Sequence, residues 1–128
     1  MGGKCVVDTN VIAKIFRNDK RSDELFEQAD EILIPYIVVG ELYYGAYNST
    51  RVQENIDVFS DFLSQYVILD VDSSVAEVYG EIKAQLKKDG INIPENDLWI
   101  AAIAKFHQYD LITFDGHFEN IDGIQVIN

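Results

Sequence analysis

The sequence contains one cysteine, two prolines, two histidines and ten basic residues in 128, and each shortage excludes something. A lone thiol, Cys5, inside an apolar run rules out both a disulfide framework and a thiolate zinc site, and fits a reducing cytoplasm. With two prolines and eight glycines there is no linker or low-complexity segment, so residues 1–128 read as a single domain, large enough for one core but not for two lobes with a cleft between them. The longest unbroken apolar run, LWIAAIA at 98–104, is far below the roughly 20 residues of a membrane span. MGGKCVV at the start lacks a signal-peptide pattern. The expectation is a cytoplasmic protein without a membrane contact. Ten Lys and Arg against 22 Asp and Glu give a net charge of −12, too few cations to coat nucleic acid without specificity. An acid excess of this size suits metal cations or a basic protein partner.

What the chain does have is alternation. Five short β-branched runs, near 5–8, 32–34, 66–70, 111–113 and 124–127, are separated by helical patterns. That order predicts an α/β fold with a mainly parallel, roughly five-stranded sheet covered by helices on both faces. No internal repeat interrupts it. Ser22, followed by Asp23 and Glu24, predicts a helix to about Gln28 with acids in the first turn, where the helix dipole favours them. TRVQ (50–53) and SVAE (74–77) have the capping-box form and predict helices over about 51–64 and 74–88, the second closed by Asp89 and Gly90. Apolar patterns predict two more, at about 36–47 and 96–107.

Four acids stand in unusual company. Glu41 lies within PYIVVGELYYGAY, and no Lys or Arg occurs between Glu31 and Thr50. It occupies a narrow polar stripe, or it is partly buried and needs a cation, since burying an unpaired charge costs several kcal/mol. Asp97 opens the most apolar helical stretch, where Asn96 or Asp97 also reads as an N-cap. Asp8 ends the first strand and Asp115 follows the fourth, at the edge where open parallel sheets bind ligands. Taken singly, Asp8 reads equally as the cap of the helix NVIAKIF, and Asp115 as a turn residue before Gly116.

Together the four can face one edge of the sheet. Carboxylates about 4 Å apart repel by about 4 kcal/mol at an effective dielectric near 20, so such a group requires cations. Oxygen ligands point to Mg²⁺ or Mn²⁺. A site of this kind polarises a phosphoryl oxygen, lowers the pKa of bound water and stabilises a leaving oxygen, which is what phosphodiester hydrolysis needs. Zinc fits poorly, because His107 and His117 are the only imidazoles and neither has ligand spacing. His107 reads as a solvent-facing helix end and His117 as part of a turn.

VVDTNVI, VVGELYYG, NDLWIAAIA and LITFDGHF, in that order and with a terminal IDGIQVI, resemble the PIN-domain ribonucleases, and within them the VapC toxins of toxin–antitoxin pairs. The resemblance runs nearly end to end. It implies a three-layer α/β/α sandwich and Mg²⁺- or Mn²⁺-dependent RNA endonuclease activity. By position the family's acidic quartet falls on Asp8, Glu41, Asp97 and Asp115, with Thr113, Thr9 and Asn10 as supporting polar residues. The resemblance also implies a DNA-binding antitoxin whose tail wraps the toxin, a partner that a charge of −12 would attract, and a homodimer. Tyr36, Tyr43 and Tyr47 share one helical face, as part of an antitoxin groove, a homodimer contact or a cover for the core. Lys14, Arg17, Lys20 and Arg21 form the one basic cluster after the first strand and are candidates for contact with RNA.

Two readings of other classes compete. A catalytically silent binding module on the same sheet has no need of all four acids. A phosphotransfer protein wants a second acid beside Asp8 and, in its receiver form, a lysine after the last strands; here the position two after Asp8 is Asn10, and no Lys follows residue 105.

Overall fold

The computed structural model describes residues 3–128. β1 (Lys4–Val7) leads into α1 (Thr9–Ile15) and α2 (Lys20–Gln28), and β2 (Glu31–Pro35) into α3 (Tyr36–Tyr47) and α4 (Val52–Leu63). β3 (Val67–Leu69) is followed by α5 (Ser73–Lys88) and α6 (Glu95–His107), then β4 (Asp110–Ile112), a 3-10 turn at Gly116–Asn120 and β5 (Val126–Ile127). All strand pairs are parallel and the order is β3-β2-β1-β4-β5. The α/β fold with a five-stranded parallel sheet expected from the alternation is the one observed. Because parallel crossovers are right-handed, the connections that step outward from β1 to β3 carry α1–α4 on one face. The return from β3 to β4 carries α5 and α6 on the other, giving three layers.

The central strands are apolar throughout because both of their faces are covered. Cys5, Val6 and Val7 of β1 and Ile34 of β2 have no exposed surface, and neither do Leu111 of β4 or Ile100, Ala101, Ala102 and Ile103 of α6. The alanines let α6 approach the sheet closely, so its first turn is held firmly at the edge of the core. The direction of connection reverses between β1 and β4, and this switch point is where an open α/β sheet leaves a crevice at the carboxyl ends of its strands.

The element bounds agree closely with the apolar patterns, whereas the caps do not. α2 starts at Lys20 and is capped by Asp19, whose carboxylate accepts from the Ser22 backbone N–H at 3.0 Å and from its hydroxyl at 2.8 Å. Ser22 is therefore buried inside the first turn instead of opening it. The Thr50 capping box does not form: Arg51 occupies the cap without a side-chain bond, and Gln53 donates forward to Asp57 at 2.9 Å. In α5 the cap is Asp72, bonded to Val75 N–H at 3.0 Å, and not Ser74. α6 begins behind Pro94 with no side-chain cap, so neither Asn96 nor Asp97 fills that role.

Candidate active site

β1 and β4 pair with Val7 beside Ile112, and the Asp8 N–H continues the ladder to the Ile112 carbonyl at 3.0 Å. One step further, that register sets Asp8 beside Thr113. The buried Thr113 hydroxyl donates to Asp8 Oδ2 at 2.7 Å. The Thr9 backbone N–H donates to Asp8 Oδ1 at 2.7 Å, and Asn10 Nδ2 approaches Oδ2 at 3.3 Å. Asp8 is thus the cap of α1 and also a buried acid, only 4% exposed. Burial lifts its pKa to about 6, against the opposing pull of the Thr113 and Thr9 bonds and with smaller pushes from Asp97 and Glu41.

Asn10 and Thr113 also place the neighbouring loop. Asn10 Oδ1 accepts from Phe114 N–H at 3.3 Å, and Thr113 Oγ1 accepts from Asp115 N–H at 3.0 Å. One buried hydroxyl therefore orients two acids, donating to the first and receiving from the backbone of the second. Glu41 projects from the middle of α3, half-buried, and its Oε1 accepts from Thr9 Oγ1 at 2.6 Å. Thr9 in this way ties Glu41 to the same end of the sheet as Asp8.

Asp97 enters from the first turn of α6. Desolvation raises its pKa, with Asp115 and Glu41 adding to the rise and His117 opposing it. Asp115 caps the 3-10 turn by accepting from His117 N–H at 2.9 Å, and the fully buried Phe118 anchors that turn in the core. The turn brings His117 Nδ1 to 3.0 Å from Asp115 Oδ1 and 3.4 Å from Asp97 Oδ2. Donor atoms of Asp97, Asp115 and His117 all lie within 4.8 Å of one another, the only such trio among the described residues. The structure divides the crevice accordingly: Asp8 and Glu41 on an inner side, Asp115 and His117 on an outer side, and Asp97 electrostatically coupled to both. His117, read from the sequence as a turn residue, is the member that sequence reasoning missed. Its signal was the Asp-Gly-His spacing, since an Asp that bonds the backbone two residues on folds the chain back toward itself.

A hard divalent cation fits this donor set: the four acids are linked through Asp97 in one coupled group, and no Lys or Arg side chain is bonded to any of the four among the described residues. Of the basic candidates, Arg17 lines a hollow of about 300 Å³ beside Thr9, Glu41 and Phe59. Lys14 lies over the Phe114 ring at 4.8 Å. Arg21 is committed to the Asn128 carbonyl at 2.7 Å and Lys20 opens α2. Tyr36 and Tyr47, at the two ends of α3, are exposed, whereas Tyr43 between them packs partly against the core. A groove of about 660 Å³ runs past Glu41 and Thr9, walled by Tyr36, the exposed Tyr44 and Asn96.

Comparison with known proteins gives one family. The PIN-domain family model matches residues 5–124. Ribonuclease VapC2 of Haemophilus influenzae is 35% identical over 130 residues, covering 98% of this chain and 97% of that one. The crystal structure of VapBC2 from Rickettsia felis, bound to a DNA fragment from their promoter, superposes with a TM-score of 0.88 at 28% identity, covering 98% of each chain. VapBC-5 of Mycobacterium tuberculosis, a member of the VapBC family of toxin-antitoxin systems, does so with a TM-score of 0.80 at 25% identity over 98% of each chain.

Proposed function

The chain belongs to the PIN-domain family, and from that premise we propose that it is a divalent-metal-dependent endoribonuclease, the toxin of a toxin–antitoxin pair, with Asp8, Glu41, Asp97 and Asp115 as its catalytic metal ligands. The observation that carries the reading is the coupled acid group at the switch point, in which the buried Asp8 has its pKa lifted to about 6 with no basic side chain among the described residues to neutralise it. An acid held at that cost is explained by a cation that the fold is built to receive. The name of the H. influenzae relative supports the ribonuclease activity, and the VapBC structures support an antitoxin partner.

Mg²⁺ or Mn²⁺ at these carboxylates supplies Lewis acidity to a phosphodiester and a more acidic bound water. The protein's own residues prepare the place. Thr113 holds Asp8 and the Asp115 backbone in fixed relation, Thr9 orients Glu41, and Asn10 pins the loop carrying Phe114. Lys14, on the exposed side of α1, and Arg17, in the turn that follows it, are suited to the phosphates flanking the scissile bond. The groove past Tyr36 and Tyr44 offers aromatic faces to unpaired bases. With a charge of −12 the same surface favours a basic antitoxin segment. Pairing through α3, where Tyr36 and Tyr47 are exposed, is the proposed homodimer contact. No helix among the described residues is long and apolar enough to cross a membrane.

The test is cleavage of total cellular RNA by purified protein with Mg²⁺ or Mn²⁺ against EDTA, alongside Asp8→Asn and Asp97→Asn. Discrete fragments that require metal and disappear in both variants are expected. Divalent binding by calorimetry without RNA turnover would instead favour the silent binding module.

A further inference from the structure

His117 does not figure in the four-acid scheme, yet its Nδ1 lies close to two of those carboxylates at once, 3.0 Å from Asp115 Oδ1 and 3.4 Å from Asp97 Oδ2. Neighbouring donors around an octahedral ion with bonds of about 2.1 Å lie about 3.0 Å apart, close to the spacing seen here. The arrangement is also held from outside the cluster. Asp115 fixes the backbone of His117, Phe118 locks the 3-10 turn into the core, and Thr113 fixes the backbone of Asp115.

We propose that His117 is a nitrogen ligand of an outer cation position shared with Asp97 and Asp115, and that it biases this enzyme toward a first-row transition ion such as Mn²⁺ over Mg²⁺. The proposal rests on the reading of the crevice as a divalent-cation site and names one more ligand and a selectivity within it. Four carboxylates offer only hard oxygen, which suits Mg²⁺ and Mn²⁺ alike. An imidazole nitrogen adds a softer donor that Mg²⁺ accepts reluctantly and that the transition series binds with increasing strength from Mn²⁺ onward. Because His117 is exposed and its turn is held by Phe118 and the Asp115 cap, replacing its side chain leaves the fold intact.

The test is spectroscopic and uses Mn²⁺ itself as the probe. Electron spin-echo modulation of Mn²⁺ bound to the full chain should show coupling to a directly bound ¹⁴N that is lost in His117→Ala and kept in His107→Ala. His107 serves as the control because it is the only other imidazole, stacks on Tyr109 and lies at the opposite end of α6 from Asp97. In competition titrations the preference for Mn²⁺ over Mg²⁺ should fall by roughly tenfold in His117→Ala, the lower end of what losing even an outer partner of a metal site costs. His117→Asp should bind both ions while losing the preference. Mn²⁺ that binds wild type without ¹⁴N coupling, or with coupling that survives in His117→Ala, overturns the assignment and leaves the acidic site standing. Failure of wild type to bind Mn²⁺ at all overturns the site reading together with it.

Discussion

Asp8 and Asp115 follow neighbouring strands at the same edge of the sheet, and the fold treats them in opposite ways. Asp8 is enclosed, bonded to Thr113 and Thr9 and lifted to about pKa 6 by burial. Asp115 stays partly open to solvent on a short turn, with one oxygen used to cap that turn and an imidazole beside it. The inner acid belongs to the core as much as to the site, and its charged form is carried at the expense of folding stability. The outer acid makes no comparable demand, and on the proposed function ions and substrate would exchange on its side. A site that must be both preorganised and accessible is divided here between a buried half and an open half.

The sharpest way to break this division is to neutralise each half in turn. Asp8→Asn and Asp97→Asn should both reduce metal-dependent cleavage below detection. Asp8→Asn should in addition stabilise the metal-free protein above pH 7 by up to about 3 kcal/mol, which is the difference between pKa 3.8 and about 6 expressed as free energy. Denaturant melts of the two variants in EDTA read this directly, and an equal gain in Asp97→Asn would erase the distinction.

The same acid has a pH signature. Its folded-state pKa is above the unfolded value, so the native state holds more protons than the unfolded chain between about pH 4 and 6. The Asp8 contribution to stability therefore declines as pH rises through that window. The gap between wild type and Asp8→Asn should open across it and close again when a saturating divalent ion is added.

Thr113→Val removes the donor that holds Asp8 and should cost about 1–3 kcal/mol, the usual penalty for leaving a buried polar group short of a partner. It should also move the onset of divalent binding to higher pH. The smallest effect belongs to the outer half: Asp115→Asn retains an oxygen for the His117 cap and should change stability by less than about 0.5 kcal/mol. Calorimetry on the same sample should still show weaker divalent binding.

Much of this was legible in the sequence. The strands and the α3 and α6 bounds follow from apolar periodicity, because burial on both faces of a parallel sheet leaves Val6, Ile34 or Leu111 no alternative. The placement of Asp8 and Asp115 at the carboxyl edge follows from the strands they end. The caps were misread because several short polar side chains compete near each helix start. Asp19 and Asp72 reach the free N–H groups from a more N-terminal position than Ser22 or Ser74, and the path of the preceding loop decides between them. His117 escaped for a related reason: its approach to Asp97 crosses 20 residues of sequence through a 3-10 turn, and no helix or strand period encodes that.

The bond from Thr113 to Asp8 spans 105 residues. At roughly 5–20 residues per second, the pace of synthesis on a ribosome, some 5–20 seconds separate the appearance of the acid from the appearance of its donor. For most of that interval β1 has β2 available on one side but not β4 on the other; Asp97 is made only near its end and Asp115 after it. The proposed active centre is consequently a late product of translation. On the function proposed above, a chain still being made carries no assembled nuclease to turn on the RNA that surrounds it.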